Sequence, residues 1–428
     1  MKRYEWANLD AAERRPALAR PRRRRDPKVQ ETVRRIFDEV EAEGVAAVNR
    51  WSQHLDGGPL ECLQIDNAAI ARAGAAVAPQ DVAALELATA NIRRHHLADI
   101  PSDRTGAEAN GLQCRRVWRP LRNAGLYIPG GTAPLFSTLL MLAIPADCAG
   151  VRERIAVTPP STNGLHPMMI LAAAASGLER IWLIGGAQAI AALTFGVGVP
   201  RADKIFGPGN AYVAEAKRYA AQLPGCPAID LPAGPSELLV IADETADPAM
   251  IAADLLSQAE HDADAQVLLV SLSAALADSV EAEIERQLSQ LPRRTIARAA
   301  LEEARTIIVR SRAEAAEVSN LYAPEHLSLQ LRDADVLVAD ITCAGTIFVG
   351  AWSAETFGDY VAGPSHVLPT DGAARACSGI SVSSFMTSFV VQQVSREAAA
   401  AMAPAAARLA RLEGLEAHAR AAEIRAVV

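Results

Sequence analysis

The sequence predicts an α/β protein with two parallel-sheet units in tandem and helical segments at both ends. Three observations support this. Short apolar runs alternate with helical periodicities from about residue 155 to 309. Several of these runs end in loops of small or turn-forming residues. Half of the 428 residues are apolar, enough for a large core divided between two or three domains.

Taken in order, the first element is a helix opening at Asp26-Pro27, with Val29, Val33, Ile36, Phe37 and Val40 at helical spacing. Gly57-Gly58-Pro59 breaks the pattern, and a second long helix runs over 81–94. Strands follow at 155–157, 181–184 and 204–206, separated by helices over 167–176 and from Ala187, with another helix over 210–221. The intervening loops are Thr158-Pro159-Pro160, Gly185-Gly186-Ala187-Gln188 and Gly207-Pro208-Gly209-Asn210. Open α/β sheets bind ligands just outside the carboxyl ends of their strands, so a crevice is expected at these loops.

A second set has strands at 238–241, 267–270 and 306–309, with helices from Asp247-Pro248 to His261 and over 274–288. A strand is expected at 327–331, and an alanine-rich helical segment over 397–425. The chain shows no repeat of 20 to 50 residues and no low-complexity tract.

Composition excludes several function classes. Apolar stretches such as 139–144 and 168–175 are too short to span a bilayer. Six scattered cysteines without a CxxC pair argue against a disulfide framework or a thiolate zinc cluster, and fit a reducing cytoplasm. A net charge of −8 opposes a nucleic-acid role, and the basic run Arg22 to Arg25 reads as a solvated or subunit-contacting segment before a helix.

Four of eight histidines lie in distinctive polar settings: His261 in SQAEHD, His326 in APEHL, His366 in GPSHVLPT and His418 in EGLEAH. Gln258 and His261, three apart on an expected helix, project from one face. Imidazole, carboxylate and amide donors suit zinc, and a catalytic zinc keeps positions open for substrate. Asp359 and His418 are candidates to complete the set, although local sequence does not show that they converge. Glu325-His326 sets a carboxylate beside an imidazole, the parts needed to remove a hydroxyl proton and to activate water. Ser236 and Glu237, after Gly234-Pro235, sit at the junction of the two units, where they either face the crevice or cap a turn.

The ordered series IDLPAGPSE, LLSQAEHD, NLYAPEHL, GDYVAGPSHVLPT and EGLEAH, with GLYIPGG, GGAQAIAAL and FGPGNAYV upstream, resembles the histidinol dehydrogenases from about residue 30 to the C-terminus. The resemblance implies an NAD-dependent, zinc-containing enzyme of histidine biosynthesis that oxidises L-histidinol through the aldehyde to L-histidine. It implies one zinc per subunit, bound by Gln258, His261, Asp359 and His418, with His418 and Glu413 reaching across an intertwined homodimer. Glu325 and His326 match the catalytic pair; Tyr127, Gln188 and Asn210 match NAD contacts; Ser236, His326, His366 and Glu413, with the four metal ligands, match substrate contacts.

The family fold implies two incomplete Rossmann-like domains: a discontinuous first one over 26–125 and 237–375, carrying the metal and catalytic residues, and a second over 126–236 with the NAD loops. An N-terminal arm over 1–25 and a dimerisation segment over 376–428 complete it. Three places depart from the family pattern: Val45 where Asp is common, Ser353-Ala354 where Thr-Pro is frequent, and a tail from Ser383 to Ser395 without a Lys-Arg pair. The alternatives are a paralogue acting on another polar alcohol such as a sulfonated diol, a silent metal-binding protein, and a zinc hydrolase. Intact APEHL and GDY oppose the first, the complete ligand and Glu-His sets the second, and the missing HExxH the third.

Overall fold

The computed structural model describes residues 1–21, 26–106, 111–130, 134–161, 164–231 and 234–427. The basic run Arg22 to Arg25 and Ala233 lie outside the described residues. Two six-stranded sheets dominate. The first is wholly parallel, in the order Lys2–Glu5, Arg305–Ile308, Gln266–Ser271, Glu237–Ala242, His326–Gln330, Thr346–Val349. Its central strands are buried along their whole length because helices cover both faces, which explains their continuous apolar runs. Helices Pro248–Ala259 and Ala274–Leu288 pack on one face, and Arg312–Tyr322 with Trp6 on the other.

Local signals set these elements. Asp247 caps its helix by accepting from the Ala249 N–H, with Pro248 in the first turn. That helix ends at Ala259, so His261 lies in the closing turn and not on the helix as expected.

The second sheet runs Glu61–Gln64, Arg180–Leu183, Glu153–Thr158, Asn123–Tyr127, Lys204–Phe206, Ala228–Ile229, parallel except for its first strand. Helix Phe136–Cys148 is apolar on all sides and buried for most of its length against one face. A separate antiparallel sheet joins Met386–Val394, Leu112–Pro120 and Arg104–Thr105. Beyond it, helices Arg396–Leu412 and Glu416–Val427 form a hairpin that leaves Leu409, Leu412, Leu415 and Ile424 exposed. Among the described residues no helix is long and apolar enough to cross a membrane.

The sheets correct the expected domain grouping. Residues 26–98 pack mainly on the second sheet and touch 237–375 at its margin, where Asn91 donates to the Val361 carbonyl. The apolar stripe of helix Pro27–Glu43 packs with Val45–Leu55 on the second sheet, beside Ile155, Val157 and Ile190, and Glu61–Gln64 pairs with Arg180–Leu183. An amphipathic helix goes where an apolar sheet face needs a cover, and the open face belonged to the second sheet. Of the N-terminal arm expected over 1–25, the described residues 1–21 are tied to the first sheet, since Lys2–Glu5 forms its edge strand and Trp6 is fully buried.

Arg20 fastens this N-terminal segment to the core. Its guanidinium forms a fork on Glu237, with one arm at 2.7 Å, donates to the Tyr322 carbonyl at 3.0 Å, and stacks over the Tyr322 ring at 3.8 Å. Burial drives the Glu237 carboxyl above its ordinary pKa despite Arg20. Removing one partner of a buried pair strands the other charge, so Arg20→Ala should cost about 3–5 kcal/mol. Urea denaturation should show an earlier first transition, and Arg20→Lys, lacking the fork, should recover only part of the loss. An unchanged transition in Arg20→Ala would show the pair to be dispensable.

Candidate functional site

Strands Glu237–Ala242 and His326–Gln330 are parallel neighbours, with Leu238 opposite His326. Glu325 and His326 therefore enter the sheet beside Glu237, at the amino edge. The backbone N–H of Glu237 donates to Glu325 Oε2 at 2.7 Å. Its carbonyl lies 3.0 Å from His326 Nδ1, so this nitrogen carries the proton and Nε2 is left as an acceptor. Burial pushes the His326 pKa down to about 4, against the raising influence of Asp359. The imidazole is thus neutral at physiological pH, with Nε2 able to accept a hydrogen bond. Burial also holds the Glu325 carboxyl well above its usual range, only partly offset by the Glu237 N–H.

His326, Asp359 and His366 line one cavity of about 420 Å³, together with Phe348 and Trp352. Asp359, on the short helix Glu355–Tyr360, lies 4.0 Å from His326 Nε2 and 3.7 Å from His261 Nε2. His261 Nδ1 donates to the Ser257 carbonyl at 2.9 Å, which turns Nε2 toward Asp359. Gln258 is fully buried, and neither atom of its amide has a hydrogen-bond partner. A buried primary amide with no partner is costly, and a cation bound with the His261–Asp359 pair would satisfy its oxygen. The donor set of amide oxygen, imidazole nitrogen and carboxylate oxygen fits zinc.

His366 anchors the other side. Its Nδ1 donates to the Asp359 carbonyl at 2.9 Å, and its Nε2 is 3.2 Å from the Thr138 hydroxyl on the buried helix of the second sheet. Burial lowers its pKa. The site therefore lies where the two units meet. Ser236 precedes Glu237 at this edge, half-buried, and its carbonyl accepts from the Gln266 N–H.

Two expected residues are not brought in. Glu413 and His418 are exposed on the terminal hairpin, away from this cluster within one chain. Among the described residues, no three His, Cys, Asp or Glu side chains form a ready-made metal cluster.

The loops of the second sheet form a separate cradle. Tyr127 ends its strand, is buried, and accepts from the Gly186 N–H through its hydroxyl at 3.2 Å; burial pushes its pKa up to about 12. Gln188 is buried in the first turn of helix Gly186–Phe195. Asn210 caps helix Ala211–Ala220, its side-chain oxygen accepting from the N–H groups of Tyr212 and Val213. Gly207, at φ +115°, is required, since a Cβ there would collide with the Tyr127 carbonyl oxygen. The buried Lys217–Asp230 pair braces the same loop, with Lys217 donating to the Gly207 carbonyl at 2.7 Å and Asp230 accepting from the Gly207 N–H at 2.7 Å.

Sequence reading missed one acid beneath the site. Glu355 is almost fully buried, with Oε1 3.4 Å from His326 Nδ1 and Oε2 3.4 Å from the Ser257 hydroxyl. Burial, then repulsion from Asp359 and Glu325, raises its carboxyl well above the usual range. Asp254, bonded by Gln330 Nε2 at 2.7 Å, is pushed up to about 6 by burial. Glu355 opens a six-residue helix without a motif of its own, so no sequence signal marked it.

Comparison with known proteins follows the same line. The family model for histidinol dehydrogenase matches residues 19–426. A histidinol dehydrogenase of Xanthomonas euvesicatoria pv. vesicatoria is 47% identical over 427 residues, 99% of each chain. One of Shigella dysenteriae serotype 1 is 43% identical, covering 98% of this chain and 96% of its own. The crystal structure of histidinol dehydrogenase from Elizabethkingia anophelis superposes with a TM-score of 0.94 at 39% identity, covering 99% of this chain and 98% of that one. Matches of this length and closeness, on the fold and site described above, place the chain in the histidinol dehydrogenase family.

Proposed function

We propose that the protein oxidises L-histidinol through L-histidinal to L-histidine, using NAD and one zinc per subunit, as a homodimer. The observation that carries this reading is the buried, unpartnered amide of Gln258, three residues before His261, whose Nε2 lies 3.7 Å from Asp359 at the cavity that holds His326 and His366. Full-length likeness to proteins named histidinol dehydrogenase supports histidinol over another polar alcohol. The six cysteines are all free, which agrees with a reducing cytoplasm.

Gln258, His261 and Asp359 hold the metal, and His418 of a second copy completes the set, with Glu413 beside it at the substrate. Exposure of both residues on a hairpin with an apolar surface suits that role. When bound, zinc supplies a positive template for the imidazole and amine nitrogens of histidinol, and NAD supplies the two-electron acceptor for each oxidation. Ser236 and His366 flank the substrate. His326, neutral and fixed through Nδ1, takes the hydroxyl proton at Nε2. Glu325, a stronger base for being buried, takes a proton from the water that adds to the aldehyde. Tyr127, Gln188 and Asn210 hold the dinucleotide at the loops of the second sheet.

Four outcomes test this. Each histidinol should yield two NADH, with activity lost on chelation and restored by zinc; a single NADH per substrate would overturn the two-step reading. Glu325→Gln should lower oxidation of added histidinal by about 10²–10⁴-fold while sparing oxidation of histidinol to the aldehyde; equal loss of both would oppose the division of roles. In the native protein the aldehyde step should rise with pH and level off only well above the ordinary carboxylate range, because Glu325 acts as a base only when ionised. Finally, His261→Asn and His418→Asn copies, inactive separately, should regain about a quarter of native activity when co-expressed, since half the dimers are mixed and each has one intact site. No recovery would place His418 outside the partner's site.

A further inference from the structure

Asp56 closes helix Val45–Leu55, just before Gly57-Gly58, in a stretch whose sequence marks only a break. Its Oδ2 accepts from two donors on the opposite loop, the Gly185 N–H and Gln188 Nε2, both at 2.9 Å, and lies 3.3 Å from the Ser52 hydroxyl. Gly185 is the N-cap of helix Gly186–Phe195 and has no side chain with which to cap it. Asp56 therefore caps this helix from a different element.

The contact also sets the polarity of Gln188. A carboxylate only accepts, so the amide nitrogen must face Asp56 and Oε1 must face away. There Oε1 is buried and has no hydrogen-bond partner. Gly186, at φ +61°, leaves room for this oxygen, since a Cβ at that position would stand 2.6 Å from it. The loop thus presents one fixed acceptor at Gln188 and one hydroxyl, Tyr127, whose own proton remains free to donate.

We propose that Asp56 is a positioning residue of the dinucleotide site: it locks Gln188 as an obligate acceptor, so the loop selects an O–H or N–H donor of NAD. This rests on the reading that NAD occupies the second-sheet loops. With Asn at position 56 the amide of Gln188 is free to turn over, and the acceptor is presented only part of the time.

Isothermal titration of NAD into the zinc-loaded enzyme tests the idea, with steady-state kinetics alongside. Asp56→Asn should weaken NAD binding about tenfold, equivalent to about 1.4 kcal/mol, and raise KM for NAD in step, leaving KM for histidinol unchanged. Gln188→Met should weaken NAD at least as much, and Asp56→Asn added to it should cause little further loss, because Asp56 acts through Gln188. An equal additional loss in the Gln188→Met background, or no loss from Asp56→Asn alone, overturns the inference while leaving NAD at this loop intact. If Gln188→Met binds NAD normally, the placement of NAD itself falls, and this inference with it.

Discussion

Much of the site depends on one residue, Glu237. Its N–H holds Glu325, its carbonyl holds His326, and its carboxylate receives Arg20 and the Asp371 N–H at 3.1 Å. A backbone held in a parallel ladder on both sides moves little, so the acid and the imidazole inherit the rigidity of the sheet. The same bonds decide the protonation pattern. With Nδ1 committed to a carbonyl, His326 has only Nε2 to offer, and it faces the side where Asp359 lies.

The two sheets contribute opposite edges to the functional regions. In the first, Glu237, His326 and Thr346 are the first residues of their strands, so the catalytic edge is the amino edge. In the second, Tyr127 ends its strand, and the loops holding Gln188 and Asn210 follow theirs, as open α/β sheets commonly arrange ligand sites. Thr138 and His366 join the units across the divide. Acids cluster beneath the cavity: Glu325 and Asp359 lie near His326, and Glu355 feels Asp359, Glu325 and Asp254. Burial and mutual repulsion raise the Glu325 and Glu355 carboxyls, a setting that would favour a cation.

Sequence patterns exposed the local part of this architecture. Strands 153–158, 237–242 and 266–271 carry apolar runs at 155–157, 238–242 and 267–270, and Asp26-Pro27 and Asp247-Pro248 start helices where expected. Strand Asn123–Tyr127 escaped because Asn, Ala and Gly have little β-propensity; burial between two neighbours makes it a strand. Lys2–Glu5 is short and charged, as an edge tolerates, and its partner lies at the far end of the chain. Which sheet a helix covers is a non-local fact, and for that reason the grouping of 26–125 went astray. At the site, the adjacent Glu325-His326 pair was visible in the sequence and its ordered motifs supplied the roles, whereas Asp56 and Glu355 act only through contacts formed in three dimensions.

The edge strand at the N-terminus has a consequence for how the chain is made. Lys2 meets Glu303 across 301 residues of sequence, so the first sheet waits for most of the polypeptide to leave the ribosome. The second sheet draws all its strands from 61–229 and has no such wait. Domains mature as their segments emerge, and the strands of that sheet are all present first, although Phe385 reaches its core later. Until its counterpart assembles, the strand Lys2–Glu5 is unpaired, and its charged side chains keep it from recruiting a stranger in the interval.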